Sequence, residues 1–115
     1  MENVPQPPLR LLFICSRNRL RSPTAEAVFS TYPNVEATSA GTNPDADTPL
    51  SSDLIQWADI VFVMERTHRK KLDERFQSLL IGKRVVVLGI PDKYDYMDKR
   101  LVALLKSKVA RYLGQ

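Results

Sequence analysis

Residues 9–29 read LRLLFICSRNRLRSPTAEAVF, and the stretch changes character twice. Leu9 to Ile14 is dense in apolar side chains, as expected of a short strand buried on both faces. It stops abruptly at the polar, arginine-rich run Cys15-Ser16-Arg17-Asn18-Arg19-Leu20-Arg21. Beyond it Ala25, Val28, Phe29 and Tyr32 recur at i, i+3, i+4 and i+7, the period of a helix with one apolar face. Ser22 is a good helix cap, and Pro23 suits the first helical position because its missing N–H would have no partner there. The expectation is a buried strand, a tight polar loop and a helix starting just after Arg21.

The same alternation runs down the chain. Ile60 to Met64 (IVFVM) and Val85 to Leu88 (VVVL) are further apolar runs, and Val35 to Thr38 is a weaker one. Ser51 to Trp57 reads as a short helix, with Ser51 or Ser52 as its cap and Asp53 in its first turn. Leu72, Phe76, Leu79 and Leu80 mark another, and Leu101, Leu104, Leu105, Val109 and Tyr112 put an apolar stripe on a C-terminal helix. Strands alternating with helices predict an α/β fold in three layers, α/β/α, with a parallel sheet covered on both faces. Ligands of such sheets sit at the carboxyl ends of strands where the winding reverses. Ser39 to Leu50 (SAGTNPDADTPL) is turn-rich and is expected to be a long surface connection.

Composition bounds the reading. A chain of 115 residues, 43% hydrophobic and 26% charged, is sized and composed for one folded domain. Pro5, Pro7 and Pro8 make residues 1–8 an expected flexible tip, with a single domain over 9–115. No stretch approaches the roughly 20 apolar residues of a membrane span, and the N-terminus is acidic and proline-rich where a signal peptide is basic then apolar. A cytoplasmic protein without a membrane partner is expected. One Cys and one His allow neither an internal disulfide nor a structural zinc site of four such side chains; separately, no metal and no cofactor are expected. The formal charge of +4, from 17 Lys+Arg against 13 Asp+Glu, favours anionic partners. The basic runs Arg66 to Lys71 and Lys99 to Arg111 lack the interleaved aromatics of a nucleic-acid platform and read as solvated helix faces, which argues against a nucleic acid partner. His68, inside the first run, reads as a surface residue, and Trp57 as core packing.

The loop itself carries the chemistry. A helix beginning after Arg21 points its free N–H groups and positive dipole end back into residues 16–22, a ready anion site. Successive backbone N–H groups from Ser16, Arg17, Asn18, Arg19, Leu20, Arg21 and Ser22 can cradle phosphate oxygens. Arg21 adds a planar, permanently charged fork that matches two of them. Asn18 tolerates the left-handed backbone such a loop often needs. Cys15, at the strand end beneath the cradle, sits where positive potential favours a thiolate nucleophile, and Ser22 can donate to its sulfur. A lone cysteine after a strand is commonly packing. Arg21 six residues on, with a helix start behind it, gives the catalytic reading its required context.

With those residues in place, LFICSRNRLRSPTAEAVF over 12–29 resembles the signature of the low-molecular-weight protein tyrosine phosphatases. Ser39-Ala40-Gly41-Thr42, Asp59-Ile60-Val61 with Met64, and Val87-Leu88-Gly89 resemble later landmarks of that family in the same order. The resemblance implies a phosphotyrosine phosphatase I-like fold, a four-stranded parallel sheet in order 2-1-3-4, with the phosphate loop at its switch point. It also implies hydrolysis of phosphomonoesters through a phosphocysteine on Cys15, with phosphotyrosine protein or a small aryl phosphate as substrate, and phosphate, sulfate or vanadate binding in the loop. The family's general acid is an aspartate in an Asp-Pro-Tyr element late in the chain. The matching text here is Ile90-Pro91-Asp92-Lys93-Tyr94-Asp95-Tyr96, which makes Asp92 the first candidate and Asp95 the next. Such an acid protonates the departing aryl oxide and then activates water against the phosphocysteine. Tyr94 and Tyr96 would flank an aromatic substrate.

This sequence departs from the family where Lys93 replaces the proline, where the connections from Thr42 to Trp57 and up to Asp92 are short, and where Leu20 replaces the second cysteine of many members. Arg17 and Arg19 make the loop unusually basic, which points to an acidic substrate surface or to very tight oxyanion binding. Two rival readings share the fold. One is a non-catalytic module that binds phosphate, phosphoprotein or nucleic acid. The other is an arsenate reductase, which would need an external thiol because this chain has no second one.

Overall fold

Strand β1, Leu9–Cys15, forms where the apolar run predicts it, and its alternation sorts the core into two halves. Leu11, Phe13 and Cys15 face one side of the sheet, Leu12 and Ile14 the other, and all five are buried. The structure is a computed structural model and describes residues 6–113. Of the N-terminal tip expected over residues 1–8, residues 1–5 lie outside the described residues, and residues 6–8 have no regular secondary structure.

The elements that follow are α1 (Arg21–Phe29), β2 (Val35–Gly41), α2 (Ser52–Trp57), β3 (Ile60–Val63), α3 (Arg66–Phe76), β4 (Arg84–Val87) and α4 (Lys99–Val109). A 3-10 turn, Gln77–Leu80, extends α3, so Leu79 and Leu80 are not on the helix proper. A second 3-10 turn, Ala110–Leu113, carries Tyr112 beyond α4. Ser51 caps α2 as expected, its hydroxyl accepting from the Leu54 N–H at 3.4 Å.

The four strands form one parallel sheet in the order β2-β1-β3-β4. On one face β1 and β3 pack against α1 and α4 through Phe13, Phe62, Phe29, Leu101 and Leu105. Stacked rings Phe13–Phe29 (5.5 Å) and Phe13–Phe62 (5.1 Å) fill its centre. On the other face Leu12, Ile14, Val61 and Val63 pack against Ile55 of α2 and Leu72 of α3. Trp57 packs against this second cluster, as the sequence implies, with the Arg10 guanidinium 5.7 Å from its ring centre. No helix of the described residues is long and apolar enough to cross a membrane.

The winding reverses between β1 and β3, because β1 connects outward to β2 while β3 lies on its other side. That is where an open parallel sheet parts its loops and makes room for a ligand. The connection Ser39–Leu50 has its expected surface character at Pro44, Asp45, Asp47, Thr48 and Pro49 but is tied down around them. Ser39, Ala40 and Gly41 complete β2, and Thr42, Ala46 and Leu50 are buried as well. The reason is hydrogen bonding: this segment donates from the N–H groups of Thr42, Asn43 and Asp47 to the carbonyls of Cys15 (2.9 Å), Ser16 (2.9 Å) and Arg17 (3.1 Å).

Candidate active site

Those three bonds set the loop's polarity. With its first carbonyls turned outward onto the second loop, none of the backbone N–H groups from Ser16 to Leu20 has an acceptor among the described residues. Successive inward N–H groups above a strand end and below a helix start are an anion cradle. Asn18 adopts the left-handed conformation expected of it, with φ of 59°.

Gly41 makes the buttress possible. A Cβ there would stand 2.5 Å from the Ser16 carbonyl oxygen and 2.6 Å from the Ala46 Cβ, so only glycine lets the two loops meet this closely.

Cys15 is 3% exposed and lines the floor of a pocket of about 190 Å³ whose other lining residues are Ser16, Arg17, Arg19, Leu20, Arg21 and Asp92. Its Sγ lies 2.8 Å from the Ser22 Oγ. Ser22 accepts from the Asn18 side-chain amide at 3.1 Å and has the Ala40 carbonyl at 3.5 Å as a further partner, so its hydroxyl is held beside the sulfur. Ser22 is therefore not the helix cap that the sequence suggests. The N-cap position of α1 is Leu20, which has no side-chain cap bond, and Ser22 lies inside the helix with its hydroxyl committed to Cys15 and Asn18.

Arg21 is 3% exposed and held from behind. Its Nη1 donates to Glu65 Oε1 at 2.5 Å and to the Ile90 carbonyl at 2.8 Å. That leaves the Nε/Nη2 edge, where the nearest acid is Asp92, its Oδ1 3.8 Å from Nε. One edge anchored and one edge open is how a guanidinium presents two parallel donors to a tetrahedral oxyanion. Asp92 is largely exposed, at the mouth of the same pocket. Asp95 is exposed, and neither it nor Tyr94 nor Tyr96 lines the pocket. Tyr94 instead packs against the α1/α4 side of the core, with Lys93 and Arg100 beside its ring, and Tyr96 is half exposed.

Two site residues escaped the sequence. His68, expected at the surface, is 1% exposed. Helix α3 begins at Arg66, which makes His68 its third residue and turns the ring onto the loop. The Glu65 N–H donates to its Nδ1 at 3.0 Å, so the ring proton is on Nε2 and goes to the Ser16 Oγ at 2.9 Å. Burial, reinforced by the Arg21 cation, pushes His68 from 6.5 down to about 4. Glu65 closes the other half of this reciprocal cap by accepting from the His68 backbone while it anchors Arg21. The Glu-x-x-His spacing after an apolar strand is the signal that locates the pair, but the familiar capping box runs Ser/Thr-x-x-Glu. Among the described residues, no three His, Cys, Asp or Glu side chains converge in a way that would hold a metal ion.

No protein-family model matches the chain, and no curated protein does. Solved structures do. The YwlE arginine phosphatase from Geobacillus stearothermophilus is 24% identical and superposes with a TM-score of 0.71 over 93% of this chain and 94% of that one. The tyrosine phosphatase Wzb from Escherichia coli K30 in complex with phosphate is 25% identical, with a TM-score of 0.71 over 90% of this chain and 94% of that one. Vibrio vulnificus Wzb in complex with benzylphosphonate is 24% identical, with a TM-score of 0.73 over 90% and 96% respectively.

Proposed function

From the premise that this chain has the fold of the low-molecular-weight phosphotyrosine phosphatases, we propose that it is a phosphomonoester hydrolase working through a phosphocysteine. The observation that carries this reading is the placement of the Cys15 sulfur under the open N–H cradle, hydrogen-bonded to the Ser22 hydroxyl at 2.8 Å and sharing one pocket with Arg21. Its lone cysteine suits a reducing cytoplasm.

In this reading the N–H groups of residues 16–21 and the Nε/Nη2 edge of Arg21 bind the three non-bridging oxygens of the substrate. The sulfur attacks phosphorus in line, the P–O bond to the leaving group breaks, and Asp92 delivers a proton to the departing oxygen. Asp92 then takes a proton from water as that water displaces the sulfur and releases inorganic phosphate. Ser22 stabilises the sulfur as it leaves. Because the transferring phosphoryl group is loosely bonded in the transition state, positioning and charge stabilisation by the loop supply most of the rate. Glu65 and His68 act as positioning residues, one fixing Arg21 and the other fixing Ser16. An O-phosphoester is favoured over a phosphorylated guanidine because Arg17 and Arg19 on the pocket wall repel a cationic leaving group.

The experiment is hydrolysis of p-nitrophenyl phosphate and phenyl phosphate. Cys15→Ser is expected to lose turnover. Asp92→Ala is expected to lose about a hundredfold or more, with the larger loss on phenyl phosphate, whose leaving group most needs a proton. Turnover by Cys15→Ser, or equal losses on the two esters, contradicts the assigned roles.

A further inference from the structure

The pocket wall contributed by the loop is cationic. Arg17 and Arg19 both line it, and both are exposed. Arg19 is paired at its near end, its Nε donating to Asp47 Oδ1 at 3.3 Å. Asp47 is in turn tied to the loop, its N–H donating to the Arg17 carbonyl at 3.1 Å. Because the aspartate engages Nε, the two terminal nitrogens of Arg19 have no protein acceptor among the described residues. The Arg17 guanidinium has neither an acidic nor a hydrogen-bonding partner among them. Arg21 is spoken for, held by Glu65 and Ile90 with its free edge turned to the phosphate position.

One buried arginine and a ring of backbone donors already satisfy a phosphate dianion. Two more guanidinium groups on the wall, one of them pinned at its near end with its terminal fork open, exceed that requirement. They match a second anion, for which the planar fork of arginine is well shaped. The aromatic alternative is absent from the wall, because Tyr94 is packed into the core and Tyr96 stands off the pocket.

We infer that the substrate carries a second anionic group, a carboxylate or phosphate, close to the scissile phosphate, and that Arg19, aided by Arg17, receives it. The inference rests on the phosphatase reading of the same pocket. Its source is assigned to acidic side chains flanking the phosphorylated residue of a protein. The two arginines are exposed while Cys15 and Arg21 are buried, which puts their charge where flanking side chains of a protein substrate can reach it.

The test compares phosphotyrosine peptides flanked by Glu with the same peptides flanked by Gln, and 4-carboxyphenyl phosphate with 4-carbamoylphenyl phosphate. For each pair the ratio of kcat/KM is taken within one protein, so a change in general activity cancels. The wild type is expected to favour the acidic peptide by about fivefold or more at low salt, with the ratio falling as salt rises. Arg19→Gln, and to a lesser degree Arg17→Gln, should bring the ratio close to one. Binding of the same peptides to Cys15→Ser by calorimetry should show the same preference without turnover. Equal ratios in wild type and Arg19→Gln overturn the inference while leaving the phosphatase reading intact. A preference in the aryl pair alone overturns the phosphopeptide source. Acid-selective binding by Cys15→Ser with no wild-type turnover of any ester upholds the anion site and sinks the phosphatase reading.

Discussion

Asn18, Ser22 and Cys15 form a chain in which an amide donates to a hydroxyl and the hydroxyl shares a hydrogen bond with the sulfur. The amide nitrogen of Asn18 can only donate, so Ser22 accepts from it, and Ser22 lies inside the helix rather than at its N-cap, which is Leu20. His68 works the same way on Ser16, and its burial has a thermodynamic signature. Its folded-state value of about 4 lies below the ordinary 6.5, so between those limits the unfolded chain binds the proton that the folded chain refuses. Stability is therefore expected to fall as pH drops through that window and to level off below it. In thermal melts from pH 7 to pH 4, His68→Gln, which keeps one donor and one acceptor, should show a shallower decline than wild type. An unchanged slope contradicts a buried, neutral His68.

At the scale of elements, the phosphate loop is held by the segment after β2 as much as by β1 and α1. Gly41→Ala inserts a methyl group 2.5 Å from the Ser16 carbonyl, and backbone has little room to yield. It is expected to cost about 1–3 kcal/mol of stability and up to about a hundredfold in kcat/KM, because displaced N–H groups no longer meet the phosphoryl oxygens. Urea melts and kinetics on the ester pair measure both, and wild-type kinetics would contradict the buttress. The elements were largely legible: apolar runs located β1, β3 and β4, and the helical period located α1 and α4. The docking of the Ser39–Leu50 connection onto the first loop was not, since it comes from N–H bonds to carbonyls far off in sequence, which turn propensities do not carry. The surroundings of Cys15, and Arg21, were legible because one loop holds them all. Glu65 and His68 were not, because they reach the loop from a helix more than forty positions away, which only the fold makes adjacent.

For the whole molecule, the sheet order brings the end of β1, the start of α3 and the segment after β4 to one edge, so that Cys15, Glu65 and Asp92 meet around Arg21. The resemblance seen in the sequence and the likeness to solved phosphatases agree on the fold. Anion binding at that junction should stabilise the fold, by about 2.7 kcal/mol at a phosphate concentration a hundred times its Kd. The resulting rise in Tm should vanish in Arg21→Met, and its persistence there would place the bound anion elsewhere.

If phosphorus passes onto the Cys15 sulfur, covalent capture reads that transfer directly. Asp92→Asn, slowed in releasing phosphate, is mixed with p-nitrophenyl phosphate, quenched in alkaline denaturant and weighed intact, and its peptides are then mapped. The prediction is a single added phosphoryl group on the peptide containing Cys15, absent from Cys15→Ala. A protein that turns the ester over with no such adduct, or that carries the phosphoryl group on another residue, contradicts it.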